Sequence, residues 1–413
     1  MAGSLPDDVL LDILVRLEEA PDLSRCAVAC KRLRSLVADV AMRRWPWPAD
    51  QDARHPSFSF GGFIARDKRR GRSEGVAGLL IPGPRSALGP VCRARALGSF
   101  MPAAYASLLN GAVPLASRHG LLLLRLADSD RTIVHLAVCN LLAGTCDVLP
   151  PLKLRSAYDD DREWCAYAIL TDEDCRLQGQ PTVLPSNNSS FFKVFIIGSN
   201  EHLMRYSFYT FSSRKGKARW RTSINCIRID LHANGSFSDV LVRPGMAAHW
   251  LYSGSSLYLI TFNMHSGHTS YTKLNMPMNY EGTGRPYLTL AVDGTLRLLW
   301  MHKAGRQLDI LVQHPEQQHD FTSSYWVRTG VIHLKQPGEG DNEERWLSIL
   351  GEKCGTILVQ DSRQHVYYIK LETGTMEEVL EWPHNSGIMP WDSMPLEMDW
   401  SAFCISRFRI RYM

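Results

Sequence analysis

The sequence predicts an α+β multidomain protein, with three short helices at the N-terminus and then a large all-β domain that reads as a six- or seven-bladed β-propeller. Three observations carry this. The first fifty residues space their aliphatic side chains at helical intervals. From about residue 115 the pattern changes to short runs rich in β-branched and aromatic residues, many of them separated by Gly, Asn, Asp, Ser or Pro. Within that region one strand–turn–strand unit recurs, as repeat architectures require.

The first helix is predicted from "LPDDVLLDILVRL", residues 5–17. Pro6 suits a first helical turn, where a missing N–H costs nothing, and Asp7 and Asp8 oppose the positive end of the helix dipole. Leu10, Ile13, Leu14 and Leu17 follow the helical i, i+3, i+4, i+7 rule, and Val9 and Leu11 add more apolar surface than one face needs. "EEAP" breaks the helix near Pro21. A second helix is signalled by Asp22 and "DLSRCAVAC", with Leu23, Cys26, Ala27 and Cys30 on one side. A third follows in "KRLRSLVADVAMRRW", where Leu33, Leu36, Val37 and Val40 recur. Pro46, Pro48 and Pro56 then preclude further helix. Three such helices make a thin core and leave apolar surface to be covered, by another chain or by the body of this one.

These residues resemble an F-box, the short helical module that docks a ubiquitin ligase's substrate receptor onto a Skp-type adaptor. The resemblance rests on Leu5, Pro6, Leu10, Ile13, Leu14, Leu17, Leu23, Cys30, Lys31 and Arg32, and it covers about 40 residues. The chain departs from the family pattern at Leu33, where Trp is frequent, and at Ala29, where a larger residue is common. The resemblance implies an adaptor-binding set of Leu5, Pro6, Val9, Leu10, Ile13, Leu14, Leu17, Leu23, Cys30 and Leu33.

In the β region, "CNLLAGTCDVLPPL" (139–152), "FNMHSGHTSYTKLNMP" (262–277) and "IKLETGTMEEVLEWP" (369–383) share a plan. Each is a strand, a turn containing glycine, and a strand ending near proline. Gly144, Gly267 and Gly374 would supply the positive φ of such hairpins. "SRHGLLLLRL…VCNLLAGTCDVLPPL" and "GEKCGTILVQDSRQHVYYIKLETGTMEEV" resemble the F-box-associated, β-propeller-like regions of plant F-box proteins. The expected domains are 1–48, the F-box; 49–114, a connector and irregular lead-in with "FSFGGFIA" as its main strand run; and 115–413, the β-propeller-like substrate-recognition domain.

Formal net charge is +4, too weak to argue for nucleic-acid binding, and the basic runs at 66–72 and 214–221 read as solvated loops. No stretch offers the ~20 apolar residues of a membrane span, and no signal peptide is expected. Ten cysteines include no CxxC pair, so free thiols in the cytoplasm or nucleus are expected. His265/His268, His314/His319 and the acidic run at 158–163 lack the spacing of metal ligands, and no nucleophile or phosphate-loop motif is present. No catalytic residue, metal or cofactor is therefore expected. Trp220, Trp250, Tyr252, Trp300, Trp326, Trp382, Trp391 and Trp400 read mainly as packing residues, some as anchors for a partner.

Together these readings imply a non-catalytic substrate receptor of an SCF-type cullin–RING ligase. Its partners would be a Skp-type adaptor, a cullin reached through the adaptor, and a target protein. Two alternatives stand beside it: a propeller enzyme or small-molecule binder with an F-box docking module, or a non-ligase F-box scaffold.

Overall fold

A computed structural model of the chain describes residues 5–16, helical positions between 26 and 37 and, with gaps, strands and turns from 58 to 399. Residues 38–57, 154–165, 176–190, 276–285, 314–322, 336–346, 380–392 and 400–413 are among those outside the description. Helix α1 spans Asp7–Arg16, and residues 32–33 and 35–37 are also helical.

The first sheet holds β1 (Phe58–Ala65), β2 (Leu79–Pro82) and β3 (Arg95–Ala96). The second is β4 (Val113–Arg118), β5 (Leu121–Arg125), β7 (Leu136–Asn140) and β8 (Thr145–Val148), flanked by a small pair, β6 (Ile133–Val134) and β9 (Leu152–Lys153). The third is β10 (Ala166–Thr171), β11 (Phe192–Asn200), β12 (Arg205–Ser212) and β13 (Arg221–Ile227). The fourth has nine strands. Its first half sets β14 (Ser236–Phe237) and β15 (Leu241–Arg243) along one edge of β16 (Ala247–Ser253), followed by β17 (Leu257–Asn263) and β18 (Thr269–Asn275). Its second half is β19 (Tyr287–Leu290), β20 (Leu296–Met301), β21 (Gln307–Gln313) and β22 (Ser323–His333). The fifth is β23 (Leu347–Lys353), β24 (Thr356–Asp361), β25 (Val366–Lys370) and β26 (Met376–Glu378). The last strand, β27 (Ser393–Asp399), returns to pair antiparallel with β1 and completes the first sheet.

Among the described residues this gives five sheets of four or more strands, where six or seven blades were expected. The difference arises at one seam. The outer strands β18 and β22 pair in parallel at Lys273–Ser323, Leu274–Ser324 and Asn275–Tyr325, which merges a five-stranded and a four-stranded antiparallel unit into one sheet.

Successive units stack face to face, as propeller blades do. One core lies between the second and third sheets and includes Leu123, Val138, Val194 and Phe211. The next joins the third sheet to the first half of the fourth through Leu170, Ile197, Trp250 and Ile260. A third lies between the two halves of the fourth, with Leu251, Leu259, Leu298 and Trp326. A further core joins the second half to the fifth sheet through Leu299, Leu308, Ile357 and Ile369. Along the inner side β4 touches β10, β15 touches β19 and β19 touches β23, while β27 touches both β4 and β23. Middle strands are thus covered on both faces, so β5 reads LLLLR with no alternation.

Part of the expected connector and irregular lead-in at 49–114 is ordered as strands. The β architecture starts by Phe58, with "FSFGGFIA" forming β1 itself. β2 and β3 are too short to show a period, and the partner that orders β1 lies at the far end of the chain. Gly267 and Gly374 both have φ of +67°, as the hairpin reading requires, while Gly144 lies outside the described residues. A Cβ at Gly374 would collide with the carbonyl oxygen of His333, whereas one at Gly267 would meet open space. Both Ala substitutions carry the ~1–2 kcal/mol left-handed cost. Gly374→Ala adds a backbone clash, so its thermal midpoint should fall clearly below that of Gly267→Ala.

Candidate functional site

Helix α1 begins where the Pro6 carbonyl accepts from the Leu10 N–H at 3.1 Å. Asp7 and Asp8 stand at its positive end and Arg16 at its negative end. Arg32 fastens this end to the following segment, its Nε donating to Asp7 Oδ1 at 2.6 Å and its guanidinium also to the Leu5 carbonyl. Cys30 Sγ accepts from the Leu33 N–H at 3.4 Å, three residues on, as a helix N-cap does.

The helix has two apolar sides with different fates. Leu14 is 2% exposed and joins Leu36 and Val37 among the buried residues, with Leu10 and Leu11 half-buried beside it. Val9 and Ile13, four apart and therefore on one side, are 39% and 47% exposed, and Leu5, four residues earlier, is 52% exposed. Val15 is exposed as well, so four of the nine exposed large hydrophobics among the described residues fall between 5 and 15. An aliphatic stripe this open on so small a helical unit is a candidate contact surface.

The sequence-derived set therefore divides. Leu5, Pro6, Val9 and Ile13 face solvent, Leu10 and Leu33 are half-buried, Cys30 is exposed in its capping position, and Leu14 serves the interior. Leu17 and Leu23 lie outside the described residues. Val15 is outside that set and is exposed too, beside the buried Leu14.

A second cluster links the β units. Arg118, at the end of β4, sets its guanidinium 2.6 Å from Asp174 Oδ1, and Asp174 is fully buried. The Thr171 N–H and hydroxyl also donate to Asp174 Oδ2, at 2.9 and 3.1 Å. His119 Nδ1 lies 2.7 Å from Thr171 Oγ1. The Asp174 carbonyl accepts from Gly245 N at 2.8 Å, and His265 Nε2 donates to the Gly245 carbonyl. Burial pushes the Asp174 carboxyl up, but Arg118, His119 and the Thr171 N–H outweigh it and hold it below its usual range. Since the Thr171 proton goes to Asp174, His119 donates to the hydroxyl rather than accepting from it. The hydroxyl is not activated as a nucleophile, and the cluster is a clamp between neighbouring units. The sequence offered one hint of it, "RHG" at a strand end: His119 (φ 48°) and Gly120 (φ 77°) form the two-residue turn into β5.

His265 stands in an exposed turn whose N–H donates to Asn263 Oδ1, and among the described residues no three His, Cys, Asp or Glu gather as a metal donor set. His314, His319 and residues 158–163 lie outside the description. Trp250, Tyr252 and Trp326 are core residues, Trp220 and Trp300 are half-buried, and Trp382, Trp391 and Trp400 are not described.

His249 is held neutral in the core, with Nδ1 3.0 Å from Thr261 Oγ1. Burial, reinforced by Arg243, lowers its pKa from 6.5 to about 4. A folded-state pKa below the unfolded value means stability is complete above pH 6.5 and is lost as pH falls towards 4. About 2 kcal/mol should disappear between pH 7 and pH 5. In denaturant titrations His249→Asn should remove most of that loss.

The F-box-like family profile matches residues 2–45. No curated protein matches the chain. Among solved structures, an α-L-arabinofuranosidase of Fusarium graminearum is similar at 12% identity, with 64% of this chain and 79% of that one covered and a TM-score of 0.37. An α-L-arabinanase of Penicillium chrysogenum has 11% identity, 64% and 80% coverage and a TM-score of 0.37. The β-propeller domain of the Trilobed protease of Pyrococcus furiosus has 8% identity, 65% and 84% coverage and a TM-score of 0.32. Likenesses at this level carry no argument about what the chain does. The chain carries an F-box-like domain at its N-terminus, followed by a β-propeller-like domain.

Proposed function

We propose that the chain is the substrate-recognition subunit of an SCF-type cullin–RING ubiquitin ligase, working in the cytoplasm or nucleus. The open stripe of Leu5, Val9 and Ile13, within the F-box-like match, is the observation that supports this most strongly. The stripe docks on the Skp-type adaptor, and a cullin is reached through it. Each such side chain, fully covered, contributes roughly 1.5–3 kcal/mol before the entropy of association is subtracted. The β domain holds the target. The chain makes no bond itself, and its contribution is positional, raising the effective concentration of target lysines beside the ubiquitin-charged enzyme.

The affinity with plant F-box-associated propellers belongs to this reading, as does a count of six blades if each half of the nine-stranded sheet is one blade. Reconstitution with purified adaptor and cullin–RING tests the proposal. The expected result is co-elution of all components and ubiquitin transfer to a bound protein. Adaptor binding without cullin recruitment would favour the scaffold reading, to which Leu33, half-buried where the family often has Trp, lends support.

A further inference from the structure

Cys139 on β7 and Cys146 on β8 stand directly opposite one another across a hairpin. Leu149 N donates to the Leu136 carbonyl at 2.8 Å, so the 136/149 pair is of the hydrogen-bonded kind. Alternation along the ladder then makes 138/147 and 140/145 hydrogen-bonded and leaves 139/146 at a non-hydrogen-bonded position. At such positions Cα atoms approach to about 4.5 Å and side chains lean together, within the range a disulfide can span. The two sulfurs lie 2.7 Å apart, the Cys139 S–H donating to Cys146. β8 is the outermost strand of its sheet, and Cys146 is the one buried residue of its four. The cysteine pair is thus the buried side-chain contact between the outer strand and its neighbour, beside the backbone ladder.

We propose that Cys139 and Cys146 are an oxidisable dithiol, which a hydroperoxide converts reversibly into a cross-strand disulfide stapling the outer hairpin of the second sheet. Cys146 is the attacking sulfur. The Cys139 S–H lowers its pKa against the opposing effects of burial and Asp147, while the same hydrogen bond and burial push Cys139 up. The Cys146 thiolate attacks one peroxide oxygen, the O–O bond breaks, and Cys146 becomes a sulfenic acid as hydroxide leaves and takes up a proton. Cys139 sulfur then displaces the sulfenic oxygen, forming S–S, breaking S–O and releasing water. Two thiols and one hydrogen peroxide give one disulfide and two waters. Short edge strands open locally, and that opening admits the oxidant. Under reducing conditions the pair rests as thiols.

The sequence makes the test direct. No Lys or Arg lies between Arg131 and Lys153, so trypsin releases residues 132–153 as one peptide carrying Cys139, Cys146 and no other cysteine. The full-length chain is reduced, freed of reductant, treated with hydrogen peroxide, alkylated with N-ethylmaleimide in denaturant and digested. The expected peptide carries no adduct and is lighter by two hydrogens, and dithiothreitol before alkylation restores both adducts. The oxidised chain should also melt higher, and dithiothreitol should abolish the gain. In Cys139→Ser, Cys146 should stop at a sulfenic acid that dimedone traps. A wild-type peptide carrying both adducts after peroxide, over-oxidised to sulfinic acid, or joined to a different cysteine peptide would overturn the proposal.

Discussion

Leu396→Asp is expected to open the β ring and destabilise the protein by at least about 4 kcal/mol. Leu396 is 1% exposed on β27, the strand that joins the end of the chain to its first β segment. β27 also touches the inner strands β4 and β23, so it closes the ring on both sides. The substitution removes a packed aliphatic side chain and places a charge where no water reaches it. A folded domain holds a margin of only about 5–15 kcal/mol, so this one change takes a large share of it. Because the loss falls on the closure, unfolding should begin with β1 and β27 exposing their amides together in hydrogen exchange. The same substitution at Val148, which is exposed on the outer strand β8, should cost under about 0.5 kcal/mol. Equal losses at the two positions would contradict a ring closed by its ends.

Arg118→Met should cost about 3–5 kcal/mol, because it leaves the fully buried Asp174 carboxylate without its guanidinium. The sign of the pH response separates this from a simple packing loss. In the wild type the carboxyl is held below its usual range, so its contribution is present at neutral pH and is lost as pH falls through the folded-state pKa. Without Arg118 burial dominates and the carboxyl titrates above its unfolded value. The variant's deficit should then be largest at neutral pH and shrink as the solution is acidified towards pH 4. Asp174→Asn in the Arg118→Met background should restore part of the loss by removing the charge. A deficit independent of pH would show that the clamp is not electrostatic.

Local signals were legible in the sequence wherever a residue's partner lies nearby. Helix α1 follows its dipole-matched termini and aliphatic spacing, and Gly267 and Gly374 sit in the left-handed turns their hairpins demand. What stayed hidden depends on distant partners. β1 reads as an isolated run because β27 pairs with it from the other end of the chain, and β2 and β3 are too short to show a period. The Arg118–Asp174 pair joins residues from adjacent units, and the parallel β18–β22 seam follows no local rule. On α1 the spacing identified which residues are aliphatic. Which of them the bundle keeps, Leu14, and which it leaves open, Val9 and Ile13, follows only from the packing.

Whether this open stripe docks on the adaptor is read by calorimetric titration of a purified Skp-type adaptor into wild type and Val9→Asp/Ile13→Asp. Both positions are already exposed, so the bundle should stay folded, as circular dichroism would verify. Forcing two unpaired carboxylates into an apolar contact should weaken binding by at least about 100-fold. Unchanged affinity in the folded variant would contradict the account.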